Sequence, residues 1–79
     1  MIVISLAGHD RGRLYYVLRT EGEYAFLVDG KLRQLKNPKR KKAKHFMYVG
    51  QSESPATDRE IRESLAAFRD GREYHRGGR

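Results

Sequence analysis

In IVISLAGHDRGRLYYVLRTEGEYAFLVDG, residues 2–30, apolar residues recur with a period of two and are interrupted by Gly and Asp. That period belongs to extended chain, because successive side chains of a strand point to opposite faces. Residues 2–6 predict a first strand, rich in β-branched side chains. Residues 7–12 predict a loop, with Gly8 and Gly12 supplying positive φ and Asp10 holding the turn. Residues 13–20 predict a second strand, with Leu14, Tyr16 and Leu18 on one face and Tyr15, Val17 and Arg19 on the other. Glu21-Gly22 turns the chain into a third strand over 23–28. Asp29-Gly30 is then a strong short hairpin signal, since a type I′ turn needs φ > 0 at both central residues.

Beyond that hairpin, residues 31–35 predict a fourth strand, which Asn37-Pro38 ends because Pro cannot donate to a ladder. Residues 45–49 predict a fifth. The second and third strands carry large apolar groups on both faces, whereas a sheet with one wet face alternates apolar with polar. The expected fold is therefore mainly β, a small bent five-stranded barrel whose closure protects its edges. After Gly50 the period changes. Thr57 and Glu60 form a T-x-x-E capping box, and Ile61, Leu65 and Phe68 follow at i, i+4 and i+7. A helix is expected over 58–70, stopping at Gly71. Its stripe is narrow, which predicts an accessory element, docked on the barrel or kept for a protein partner. The expected organisation is a barrel over 1–50, linker and helix over 51–71, and a disordered polar tail over 72–79.

The charge is concentrated in KLRQLKNPKRKKAKH, residues 31–45, which holds eight Lys or Arg and no acid. Residues 1–30 carry three bases against four acids, and residues 46–79 carry six of each, so the net +7 comes from this tract. Cations this crowded repel one another and call for an anion beside them, of which a nucleic acid backbone is the obvious one. Because the KRKK run at residues 39–42 lies between two predicted strands, it should project as a loop. A nuclear targeting tract and a general basic patch are its other readings.

Ala7, Gly8, Asp10, Gly12 and Arg13, then Val28, Asp29 and Gly30, then Lys44 and His45 form an ordered set. In it the chain resembles KOW-motif proteins, specifically small bacterial KOW-domain RNA-binding proteins and related large-subunit ribosomal proteins of archaea and eukaryotes. The resemblance covers about the first 48 residues. It implies an SH3-like barrel that binds RNA, usually ribosomal RNA. Tyr15 stands where many other KOW motifs have a second Gly, although the ribosomal relatives with V-D-G also carry bulky residues there; the first strand starts at once and is expected to be short.

The candidate RNA contacts are Arg11, Arg13, Lys31, Arg33, Lys36, Lys39, Arg40, Lys41, Lys42, Lys44 and His45. Gly8, Asp10, Gly12, Asp29 and Gly30 are turn residues. Tyr15, Tyr24 and Tyr48 interleave with the basic strands. Core packing is the plain reading of them, and Tyr15, on the face of Arg13 and Arg19, is the first choice for stacking on a base. Phosphate contacts position a protein without reading sequence, so charge does not separate RNA from DNA. His9, His45 and His75 are too widely spaced for a metal site, and His9-Asp10 are sequence neighbours that rarely face each other, so neither metal, cofactor nor catalysis is expected. The chain has no Cys, hence no disulfide, and no run approaching the ~20 apolar residues of a membrane span. A soluble cytoplasmic protein of the translation machinery is expected, acting on RNA rather than on a membrane or small-molecule substrate. The alternative is a protein-interaction adaptor using the barrel and the helix.

Overall fold

The computed structural model describes residues 1–52 and 54–70. Five strands form one antiparallel sheet: β1 (Ile2–Ser5), β2 (Leu14–Glu21), β3 (Tyr24–Val28), β4 (Lys39–Lys42) and β5 (Phe46–Gly50). One helix, α1 (Asp58–Arg69), follows. The order across the sheet is β4-β3-β2-β1-β5, so β4 and β5 are its edges and the ladder does not close into a barrel.

The sheet is nevertheless strongly curled, as its connections require. Three residues in a 3-10 turn, Ala43–His45, carry the chain from β4 to β5. At one end Ala43 N donates to Glu23 O at 2.7 Å, and at the other Leu6 N donates to His45 O at 2.8 Å. Those anchor points lie at opposite ends of β2, which in a flat sheet would stand ~23 Å apart along the strand. The four peptide steps from Lys42 to Phe46 reach at most ~14 Å. Curling is helped by register shifts between Val17 and Arg19 and between Ile2 and Val3, since bulges bend strands.

The curl explains why both faces of β2 are apolar. Inside it lie Val3, Tyr15, Ala25 and Leu27, with Val17 and Phe46 packed against them. On the outer face lie Ile2, Tyr16 and Val28, covered by Ile61, Leu65 and Phe68 of α1. The helix is thus docked, and it supplies half of this second core cluster. Its three apolar side chains are 0%, 4% and 6% exposed, each worth about 1.5–3 kcal/mol of transfer. Thr57 caps it by accepting from Glu60 N at 3.1 Å, and Glu60 reaches back one residue further than the cap, to Ala56 N at 2.7 Å.

Four expectations change. The fourth strand is not residues 31–35 but Lys39–Lys42, where a projecting loop was expected. Asp29-Gly30 does not make a type I′ turn, because only Gly30 has positive φ, +80°. Asp29 instead accepts from Lys31 N and Arg33 N, at 2.8 and 2.9 Å, and folds residues 29–37 into a loop. β5 is Phe46–Gly50, with His45 in the 3-10 turn. Arg19 leaves the face of Tyr15: the shift after Val17 sets it opposite Phe26. Glycines 8 and 12 take φ of +73° and +86°, the turn role expected of them. The predicted stop at Gly71 and the tail 72–79, His75 included, lie outside the described residues.

Candidate nucleic-acid interface

Of the eight tract cations, two point into the curl. Lys39 and Lys41 alternate on β4 with Arg40 and Lys42, and pair with Leu27 and Ala25 on the interior face of β3. Their stems run along apolar surface while their ammonium groups meet Asp10. Lys39 Nζ contacts Asp10 Oδ2 directly, and Lys41 Nζ stands 3.9 Å from it. The same ammonium groups face the rings of Tyr15 and Phe46 at 6.0 and 5.8 Å. The Lys39 hydrogen bond holds the Asp10 carboxyl below its ordinary pKa, reinforced by the charges of Lys39 and Lys41.

Asp10 therefore does different work from the turn residue it resembles. Backbone bonds shape the loop, Gly12 N to Ser5 O and Arg13 N to Asp10 O, both at 2.8 Å. The Asp10 side chain ties that loop to β4. Tyr15 is 2% exposed and packs edge-on against Phe46, centroids 6.2 Å apart. Burial, and then the charge of Asp10, push its hydroxyl above the ordinary pKa. A ring so enclosed has no open face for a base, so the stacking role does not fall to Tyr15.

The remaining tract cations divide between three places. Arg40 and Lys42 lie on the outer face of β4, opposite Phe26 and Tyr24 of β3. Lys31, Arg33 and Lys36 lie in the 29–37 loop, where Lys31 and Lys36 are exposed and Arg33 half-buried. Lys44 is exposed in the 3-10 turn, beside half-buried His45. Among the described residues none of Lys31, Arg33, Lys36, Lys42 and Lys44 joins an ion pair. Arg11 and Arg13 are exposed at the β1–β2 turn.

The 29–37 loop is held by the helix. Arg62 Nη1 donates to Gly30 O at 2.7 Å, and Asp58 Oδ1 accepts from Leu35 N at 2.8 Å. A Cβ on Gly30 would stand 2.4 Å from Asp58 O, so the loop and the first turn of α1 are in backbone contact. A groove of about 800 Å³ runs beside this junction, floored by Leu14, Val49 and Leu65 and rimmed by Arg13, Lys31 and Arg62. It unites Arg13 with Lys31 and adds a helix cation that the sequence reading passed over. Arg62 could have been noticed there, because it lies one residue beyond Ile61 of the apolar stripe.

Arg40 and, on β2, Arg19 sit on aromatic rings of the outer face. The Arg19 guanidinium lies 4.0 Å from the Phe26 centroid, and the Arg40 guanidinium 4.4 Å from that of Tyr24. Among the described residues no group of three His, Cys, Asp or Glu is placed to hold a metal, and no helix is long and apolar enough to cross a membrane. No protein-family model matches the chain, and a search of curated proteins finds no match.

Proposed function

We propose that the chain is a cytoplasmic RNA-binding protein of the KOW type, built on an SH3-like barrel and acting on ribosomal RNA in the translation machinery. The observation that carries this reading is the fate of the tract charge. Asp10 pairs with Lys39 and stands near Lys41, offsetting one of their two charges, while Lys31, Arg33, Lys36, Arg40, Lys42 and Lys44 have no acidic partner among the described residues. A surface that keeps six such cations within fourteen residues is suited to a polyanion. The curled five-stranded sheet and the short 3-10 link between β4 and β5 support the barrel reading. The ordered A-G-x-D-x-G-R and V-D-G matches support RNA over DNA.

The groove beside α1 favours a second reading, an adaptor for a protein partner, since Leu32 stands 74% exposed on its lip. Affinity purification of the tagged full chain, with and without ribonuclease, separates the two. The RNA reading expects crosslinkable ribosomal RNA, and associated proteins that leave on digestion. Partners that persist after digestion, with no RNA crosslinked, would favour the adaptor.

A further inference from the structure

The geometry points to a stacking platform for unpaired bases on the outer face of β2, β3 and β4, with the Arg19 and Arg40 guanidinium planes as its working surfaces. This rests on the RNA reading and names the class of RNA: single-stranded or looped, not duplex.

Strand register assembles the platform. Phe26 is flanked by Arg19 on β2 and Arg40 on β4, and Tyr24 by Glu21 and Lys42. Each arginine lies against a ring, at 4.0 Å for Arg19 on Phe26 and 4.4 Å for Arg40 on Tyr24. Both rings are half-buried and both arginines exposed. Each guanidinium carbon thus stands over a ring while the arginine side chain stays open to solvent. The two rings are two residues apart on β3, ~7 Å along the strand, which separates the two planes enough to serve different bases.

The arrangement depends on the bulge. With unbroken alternation Arg19 would share the interior face with Val17; the register shift after Val17 returns it to the outer face, opposite Phe26. Bulges that re-aim a side chain are common at functional surfaces. The rings also hold the arginines in place, which lowers the entropy cost of ordering them on binding. α1 covers the Ile2, Tyr16 and Val28 part of the same face, and neither Tyr24 nor Phe26 belongs to the cluster it buries.

Charge complementarity selects the occupant. Arg19, Arg40 and Lys42 place three cations on this patch against Glu21, whose Oε2 takes Arg19 Nε at 2.9 Å. Both members of that pair are more than half exposed, so it competes weakly with a phosphate. Arginine planes and aromatic rings together are the usual means of holding splayed-out RNA bases. A duplex hides its base faces in its own stack, so only unpaired bases can use these planes.

The test keeps charge constant and removes the planes. Arg19→Lys and Arg40→Lys together retain both cations but lose the flat delocalised surface. The full chain and this variant are titrated, at one ionic strength, against a fluorescein-labelled unstructured 12-nucleotide RNA and the matching 12-base-pair RNA duplex. A 2-aminopurine in the single strand reports stacking, and thermal melting shows that both proteins are folded. The parent should prefer the single strand and quench 2-aminopurine. The variant should lose roughly 5- to 150-fold in single-strand affinity for each base released, with a clearly smaller loss on the duplex and quenching abolished. Equal parental affinity for both RNAs, or equal losses on both in the variant, overturns the platform and leaves the phosphate-contact reading standing. Binding to neither RNA overturns both, and a patch that takes a peptide instead falls in that outcome.

Discussion

Gly50 on β5 and Phe68 on α1 provide a sharp test of how the helix is seated. A Cβ built on Gly50 would lie 2.3 Å from Phe68 Cε1 and 2.9 Å from Cζ, far inside van der Waals contact. Phe68 is 6% exposed, so its ring has little room to move aside. Gly50→Ala should therefore destabilise the parent by about 1–3 kcal/mol, the usual cost of overpacking. Gly50 is not among the glycines with positive φ, and relief of strand-glycine entropy favours Ala by ~0.5–1 kcal/mol. Phe68→Leu removes the two atoms that would stand under 3 Å and keeps an apolar side chain, leaving only the Cδ1 position, 3.1 Å from that Cβ. In that background Gly50→Ala should be neutral or slightly stabilising, so the substitution changes sign. The coupling between the two sites should exceed ~1 kcal/mol, as expected for residues in direct contact. Urea unfolding of the four proteins, followed by far-ultraviolet circular dichroism, measures the cycle. Equal costs for Gly50→Ala in both backgrounds, or no cost in the parent, would refute the seating of α1 against β5.

Three other outcomes follow from the site. Lys39→Ala with Lys41→Ala should lower the urea midpoint before it affects RNA binding, whereas Arg40→Ala with Lys42→Ala should weaken RNA binding at an unchanged midpoint; a reversed pattern would contradict the two faces of β4. The Asp10 carboxyl is held below its ordinary pKa by Lys39, so its contribution is fully present above about pH 4 and is lost as pH falls through its lowered folded value. Asp10→Asn should accordingly flatten the acid limb of the stability–pH curve, read by urea midpoints from pH 7 down to about pH 2. Gly30→Ala should cost more than Gly12→Ala, because both have positive φ but only at Gly30 does a Cβ strike backbone, 2.4 Å from Asp58 O; thermal melts of the two compare them.

The parts of the fold legible in the sequence are those where one local signal decides. Strands β1, β2 and β3 follow from the two-residue period, the β1–β2 turn from Gly8 and Gly12, and the helix from Thr57, Glu60 and the stripe ending at Phe68. β4 was not legible because four consecutive cations have poor strand propensity. What makes KRKK a strand is tertiary: the stems of Lys39 and Lys41 line the curl and their charges meet Asp10, twenty-nine residues earlier in the case of Lys39. A Lys-x-Lys alternation directly after Pro38 is the trace that could have suggested it. The helix looked accessory because a stripe of three is narrow. It suffices here because Ile2, Tyr16 and Val28 present a small complementary face. For the candidate site, the cations were legible as a set but not their division between interior and surface. The exclusion of Tyr15 from stacking follows from its burial, and the placing of Arg19 over Phe26 from a bulge that nothing in RLYYVLRT announces.

Whether the tract binds RNA through phosphate contacts is read from titrations of the full chain against a structured ribosomal RNA fragment across a range of salt concentrations. With four to six of the six surface cations on phosphates, log affinity should fall against log salt with a slope of about −3 to −5. A slope near zero, with affinity kept at high salt, would contradict binding through phosphate contacts.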